Sequence, residues 1–527
     1  MKKIISTLAA ALLLFAPGTT MTAQTMYDGL KYGDINYYGT ARSIALGNAM
    51  TAVGGDLGSI VLNPAGSAVA GYSQFSVSQG ISSASTGADF SPVAASDDFT
   101  SYMKSNKSRY VMPNIGFVIN VPTPSSSSLK SYSFGFLLST TGRSLDRMSV
   151  SGRNDFTTML GDMAYKAGGI DYNNLTGDSA YDNYDWTIPL SYQSYMISEL
   201  TGKTDEYIGA SEADIPGSGI GLAGPITQKY IMQHTGSRND MLFNFGANLG
   251  DRLYLGANLG LPILTYKENI FAGESALDAN DFAQDINGAT ACWEASSQSY
   301  YLDTDAEGIY AQVGVIALPV EWIRLGASIK TPTWYSVRER WGYNAVTDYD
   351  TFSEHAQSPD GDYSYNLVMP AEYNLGIAAT LGSTALVSLD WSGVNYKNME
   401  FRSSEDSFIN GEFDGVNSDI SRYADKSRQL RFGVEYKLLP SVALRYGHVR
   451  KTYADDKTTS NSFGLGYSSS GSFYADFALR RTKYPYNWYY PYDDYMYDDA
   501  GSLVCRSNEI GYSKSLMDCV LTLGWRF

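Results

Sequence analysis

Residues 517–527, MDCVLTLGWRF, put Met517, Cys519, Leu521, Leu523, Trp525 and Phe527 on one parity and Asp518, Val520, Thr522, Gly524 and Arg526 on the other. Successive side chains on a strand point to opposite faces, so a strand here shows one almost wholly apolar row. The row ends on Trp525 and Phe527, where an interfacial aromatic girdle would stand. A soluble sandwich can end on an amphipathic strand, but it rarely leaves Trp and Phe as its last two same-face residues. The stretch reads as a lipid-facing strand of an outer-membrane barrel.

The N-terminus agrees. Lys2 and Lys3 precede an apolar run from Ile4 to Phe15, followed by small and polar residues to Ala23. This is the pattern of a secretory signal peptide, expected at residues 1–23, and the run is too short to cross a bilayer as a helix. No later segment approaches the ~20 continuous apolar residues that a membrane helix needs, so an integral membrane protein of this sequence must be a barrel. Tyr (42) and Gly (51) are abundant and Cys (3) is scarce, as alternating strands with aromatic girdles require. The formal charge is −17, and loss of Lys2 and Lys3 takes the mature chain to −19, with 36 basic and 55 acidic side chains. That balance argues against nucleic acid as a partner. Cys292 and Cys505 fall in expected outer loops, but their spacing gives no support for a bridge.

Alternating segments recur along the chain. Leu253, Leu255, Ala257, Leu259, Leu261 and Ile263 oppose Tyr254, Gly256, Asn258 and Gly260; Leu430, Phe432, Val434 and Tyr436 oppose Arg431, Gly433, Glu435 and Lys437. Connection lengths separate a barrel from a sandwich. Short connections fall near 122–130, 250–252, 318–320, 382–383, 438–440 and 469–471. Long polar stretches fall near 83–109, 142–238, 267–306, 336–366, 396–427, 452–459 and 483–508. Strict alternation of short and long is the asymmetry of outer-membrane barrels, with tight periplasmic turns and longer extracellular loops. Six turns and seven loops imply an all-β transmembrane antiparallel barrel of about 14 strands, with Glu509 to Phe527 as one long closing strand. The barrel is expected over 72–527, its first strand beginning near Tyr72.

The stretch 142–238 is too long for a plain connection. Phe156, Met159, Leu160 and Met163 recur at helical spacing, as do Tyr192, Tyr195, Met196 and Leu200, so short amphipathic helices are expected on the extracellular rim. They either pack on one another as a roof or offer Phe156, Met159, Leu160, Met163, Tyr195 and Met196 for capture of a hydrophobic ligand, since Met and aromatic side chains adapt to varied shapes.

Residues 24–71 precede the first strand and contain YGTARSIALGNAMTAVGGDLGSIVLNPAGSAVAG (38–71). Small residues fed from the turn side suit a compact plug in the lumen. The pattern Ala41-Arg42, Leu46-Gly47, Ala49, Asp56 and Asn63-Pro64-Ala65 resembles the hatch of the long-chain fatty-acid transporter (FadL/TodX) family. The resemblance is sharp over residues 39–66 and at the closing strand, and elsewhere it is one of architecture. It implies a hatch bearing an Asn-Pro-Ala signature inside a 14-stranded barrel. It also implies passive uptake of hydrophobic small molecules by loop capture, a pocket above the hatch and lateral exit through the wall. In the residues themselves, Pro64 fixes its own φ and biases Asn63 toward extended geometry. The motif either seats the plug or touches ligand. A lateral exit needs an interrupted ladder, and Pro113 and Pro262 remove donors inside strands; Pro113 is preferred because the family's opening lies among its early strands.

No catalytic, cofactor or metal site is expected. His234, His355 and His448 are scattered, no Cys/His cluster has ligand spacing, and GIGLAG (219–224) lacks the βαβ context of a dinucleotide site. The expected partners are a hydrophobic small molecule, outer-membrane lipid and lipopolysaccharide, with the chain a monomer. The alternative is a barrel scaffold that docks a secreted or surface partner through its loops, which the Tyr/Trp/Asp-rich stretch 484–499 favours.

Overall fold

The computed structural model describes residues 24–33, 36–91, 101–124, 126–215, 219–286, 289–404, 411–469, 472–497 and 501–527, so the expected signal peptide lies outside the described residues. Fourteen antiparallel strands form one closed sheet. The first five are β1 (Gln74–Ser91), β2 (Ser101–Pro122), β3 (Leu129–Asn154), β4 (Ile226–Leu249) and β5 (Leu253–Ala276). Then come β6 (Ala289–Val320), β7 (Ile323–Lys330 and Thr333–Tyr349), β8 (Gly361–Met369 and Glu372–Leu381) and β9 (Ala385–Asn395 and Glu400–Ser403). The ring is completed by β10 (Lys426–Leu439), β11 (Val442–Tyr453), β12 (Asp456–Ser468), β13 (Phe473–Lys483) and β14 (Glu509–Arg526). Strand β14 pairs with β13 on one side and with β1 on the other, and the backbones of Ser73 and Phe527 exchange hydrogen bonds of 3.1 and 3.0 Å.

Parity sorts the side chains as a membrane barrel requires. Met517, Leu521, Trp525 and Phe527 are exposed on the outside of β14, while Asp518, Val520 and Thr522 are buried on its inside. The same division holds for Leu253, Leu255 and Leu259 against Tyr254 and Asn258 on β5. No described helix is long and apolar enough to cross a membrane. Pairing of β14 with β1 closes the ring, and the outward apolar band identifies an outer-membrane barrel.

The strands overrun the expected loops. β3 continues to Asn154 and β4 begins at Ile226, so the loop expected at 142–238 spans 155–225. β5 and β6 reach Ala276 and Ala289, and the stretch near 452–459 is a tight turn at Ala454 and Asp455, with Ala454 at φ 49°. The reason is solvation: above the bilayer both faces of a strand meet water or polar loops, so the ladder persists after the apolar row has ended. On the turn side, β6 runs to Val320 and the turn falls at Glu321-Trp322 instead of 318–320.

The first expected rim helix is present at Met159–Ala167. The second runs from Thr187 to Gln193 and stops there, because Tyr195 takes φ 58° and Ile197–Glu199 forms a small strand with Tyr207–Gly209. Cys292 and Cys505 are free thiols.

Candidate functional site

Residues 36–71 lie inside the turn-side half of the barrel, bonded to inward side chains around the ring. Ala41 N–H donates to Thr522 Oγ1 at 2.7 Å on β14, Thr51 N–H to Asp390 Oδ2 at 2.7 Å on β9, and Arg324 on β7 donates to Val53 O at 2.6 Å. Arg42 is bidentate on Glu435, at 2.9 and 3.1 Å, and Glu435 also accepts from Arg445. Local chemistry shapes the segment before the wall does. Asp56 caps the turn Leu57–Ile60 by accepting from Gly58 N–H and is itself held by the Thr40 hydroxyl at 2.6 Å.

Asn63-Pro64-Ala65 is fully buried against β5 and β6. Asn63 Nδ2 donates to Thr51 O and Val315 O, its Oδ1 accepts from Ala65 N–H, and Asn244 Nδ2 donates to Pro64 O. The wall makes room with glycine. A Cβ on Gly256 would lie 2.2 Å from Ala65 N, and one on Gly314 would lie 2.0 Å from Asn63 Oδ1.

Among the described residues the wall is broken between β2 and β3. β2 pairs with β3 only from Asn114↔Ser139 to Pro122↔Ser131, although β2 continues beside β1 to Phe90↔Ser101. The break begins at Pro113, which has no N–H to give a ladder. The β1–β2 register also shifts there, between Ser78 and Gly80. Pro262 has a smaller effect: β4 and β5 stay paired through Asp240↔Pro262, and toward β6 only the rungs between Glu307↔Ile263 and Tyr310↔Gly260 are missing before the ladder resumes. Above the break β3 leans inward. Leu145, whose partner Thr235 on β4 faces outward, is buried against Ala84 of β1 and Leu516 of β14, and Arg143 meets Asp518 at 3.4 Å. Among the described residues upper β2 has β1 as its one strand neighbour, and Tyr102, Tyr110 and Met112 stand exposed on it.

The edge that β2 abandons is partly taken by the N-terminal segment: Asn36 N–H donates to Thr141 O and Tyr38 N–H to Thr140 O, both at 3.0 Å. The Tyr38 ring lies between the guanidinium groups of Arg143 (4.1 Å) and Arg480 (4.3 Å), and Arg480 donates from Nε and Nη2 to Asp518 Oδ2 at 3.1 and 2.9 Å. Just inside lies a cavity of about 200 Å³ bounded on the wall side by Gly142, Arg143, Ser144 and Asp146 of β3. Its other walls include Lys31, His234, Tyr266 and Lys514. A chain of contacts crosses it: Lys514 to Asp146 at 2.6 Å, His234 to Asp146 at 2.7 Å and to Glu268 at 3.2 Å, and Lys31 to Glu268 at 3.2 Å.

Sequence reasoning missed the helix Met26–Gly33, which fills the apolar part of the lumen. Gly29 and Gly33 press it onto Met399, Phe401 and Met369, and Tyr32 OH donates to Glu339 at 2.7 Å. Its signal was legible as Gly at i and i+4 beside Tyr32 in MYDGLKYG, a face small enough for close packing.

The six expected capture residues divide. Met159, Leu160, Met163 and Met196 are buried in a roof core shared with Tyr492 and Tyr495 of the last loop, while Phe156 and Tyr195 are exposed. Glu274 of β5 holds the first turn of the rim helix through Met159 N–H at 2.7 Å and the Thr158 hydroxyl. Two roof acids are shifted by burial: Glu212 is pushed up to about 7, and Asp162 to about 6 despite Lys166 at 2.8 Å.

No family profile matches the chain, and no curated protein matches it. Among solved structures it is similar to the CymD monoaromatic hydrocarbon channel, at 11% identity and TM-score 0.46 over 94% of this chain and 99% of that one. It is similar also to the toluene transporter TodX of P. putida (12%, 0.47, 93% and 99%) and to a Pseudomonas aeruginosa FadL homologue (11%, 0.48, 93% and 99%). On its own geometry the chain is a fourteen-stranded outer-membrane barrel with its N-terminal segment folded inside, the architecture that the Asn-Pro-Ala resemblance implies.

Proposed function

We propose that this barrel is a passive channel for hydrophobic small molecules, fatty-acid-like or aromatic, crossing the outer membrane. The observation that carries the reading is the wall gap above Pro113, because the lumen cavity and the gap share the same stretch of β3, Gly142–Asp146. Residues 36–71 act as the hatch below the cavity, seated by Asn63-Pro64-Ala65. The helix Met26–Gly33 acts as a stopper above it, since it occupies the apolar lumen a ligand would need. Entry is at the roof, where Phe156 and Tyr195 offer exposed rings and the buried methionines hold the surface that carries them. Exit is lateral, through the lower end of the gap beside Pro113, where the rung Asn114↔Ser139↔Asp240 stands next to Met241 at the top of the apolar band, so a ligand reaches the outer leaflet and avoids the hatch. Uptake of radiolabelled oleate or toluene by cells carrying Pro113→Val tests the gate: a restored rung slows uptake, and an unchanged rate removes Pro113 from it.

The scaffold reading has one observation in its favour. Tyr486, Trp488, Tyr490 and Tyr497 of the last loop are exposed, a composition suited to protein or glycan contact. Mass spectrometry of apolar molecules retained by the purified protein separates the two, because a scaffold carries none in stoichiometric amount.

A further inference from the structure

The chain is strongly acidic, yet the outer lip of the wall gap is basic. Lys107 and Arg109 of upper β2 and Arg147 of β3 converge there. Lys107 reaches across β3 to Thr235 Oγ1 of β4 at 2.6 Å, and its charged neighbours are Asp146, Arg147 and Arg109. Asp146 is already engaged by His234 and Lys514. Among the described residues neither Arg109 nor Arg147 has an ion-pair partner, and both are exposed. Three clustered cations without their own acids repel one another, an arrangement that an external anion would relieve.

The cluster opens onto a groove. Arg147, Gln233, Asn269 and Tyr301 stand opposite one another along successive rungs of β3, β4, β5 and β6, all on the outward face. With Phe271 and Asn344 they line a depression of about 390 Å³. Amide side chains donate and accept side by side, matching neighbouring sugar hydroxyls, and the Phe271 and Tyr301 rings offer apolar faces to pyranose C–H groups. The Tyr301 hydroxyl is anchored on Asp360 at 2.7 Å, which fixes its ring.

Height selects the occupant. On β4 the continuous outward apolar row ends at Met241; Asn239, Ser237, Thr235 and Gln233 follow on that face before Ile231, with Thr235 and Gln233 six and eight residues beyond Met241. At ~3.4 Å per residue and a tilt of about 45° that is roughly 14–19 Å above the apolar band. A phospholipid head-group layer extends only about 5–8 Å beyond the hydrocarbon. A lipid reaching the groove while its acyl chains rest on the band below must carry several sugars, and the cluster asks that they be anionic.

We propose that the groove beside the wall gap binds the phosphorylated or otherwise anionic core saccharide of an outer-leaflet glycolipid, lipopolysaccharide, with Lys107, Arg109 and Arg147 holding its charge and Gln233, Asn269 and Tyr301 its sugars. The site lies outside the lumen and does not depend on what the channel carries.

The test uses the full protein purified from outer membranes and stripped of lipid, titrated in detergent and followed by native mass spectrometry. Intact lipopolysaccharide is expected to bind at one per chain. A Lys107→Ala/Arg109→Ala/Arg147→Ala variant is expected to lose at least tenfold in affinity. Dephosphorylated lipopolysaccharide and lipid A without core sugars are each expected to bind at least tenfold more weakly than the intact molecule. A control with Arg450→Ala, Arg481→Ala and Lys483→Ala, exposed cations elsewhere on the rim, keeps wild-type binding. Arg147→Gln alone, an exposed change on an intact ladder, provides a reading if the triple variant folds poorly. Equal binding by the triple variant overturns the site. Displacement of lipopolysaccharide by phosphatidylglycerol, oleate or inorganic phosphate as effectively as by itself overturns the glycolipid assignment.

Discussion

Strand β3 has two neighbours and treats them differently. Toward β4 it stays paired along nearly its whole length, from Leu129↔Leu249 to Asn154↔Ile226. Toward β2 it is paired only below Pro113. The two edges share one backbone, so the difference lies in what holds upper β3 in its inward position. On the intact side there is a ladder. On the broken side there are substitutes: Asn36 and Tyr38 bonding Thr140 and Thr141, Leu145 packed on β1 and β14, and Arg143 beside Asp518. A barrel can open its wall without exposing raw backbone to lipid if the released strand finds other partners inside.

Removing those substitutes should unmake the broken edge and spare the intact one. Asp518→Ala should have the largest effect. It leaves the buried Arg143 and Arg480 without their acid, a loss of about 3–5 kcal/mol, read as a lower midpoint in chemical unfolding of the reconstituted barrel. Leu145→Ala should cost about 2–4 kcal/mol. Faster amide exchange confined to residues 142–152 would confirm it; equal acceleration across β4 would show that the two edges are not separable.

The loop that continues the intact edge, 155–225, carries a pH term. Glu212 has a folded pKa near 7, above its unfolded value, so its contribution is fully present below the unfolded carboxylate pKa and is lost as pH rises through about 7. Asp162, near 6, has the same sign. The roof should loosen between pH 5.5 and 8 by on the order of 1–2 kcal/mol, visible as faster exchange in Met159–Ala167 after correction for intrinsic rates, and Glu212→Gln should flatten that dependence. The smallest effect is expected from Pro113→Val. One regained rung is worth about 0.5–1.5 kcal/mol, which should slow uptake of a hydrophobic probe two- to tenfold and protect amides in upper β2.

Strand number, closure and facing were legible because lipid enforces period-two alternation: Met517 to Phe527 and Leu253 to Ile263 could be assigned to a face at sight. Strand ends were not, because beyond the bilayer water no longer selects one face, and residues such as Asn269, Ser299 and Lys457 pair without an apolar row. Pro113 was readable as a missing donor, and the inward lean of upper β3 was not, since it depends on Leu145 and Arg143 finding partners far away in sequence. Of the capture residues, helical spacing located Met159, Leu160 and Met163 on one face, but spacing cannot tell a face that packs from a face that waits for ligand. Tyr195 was misplaced on a helix because a positive φ leaves no mark in hydropathy.

Upper β2 has a further consequence. A strand with one hydrogen-bonding side vacant is a template on which another chain can add a strand of its own, and two copies of this barrel could join edge to edge there. Its residues discourage such an addition: Lys104, Lys107 and Arg109 would meet their own counterparts across an antiparallel seam, and the Pro113 end offers no donor to start one. The charge that gathers at the lip of the gap thus also works against edge-to-edge pairing there.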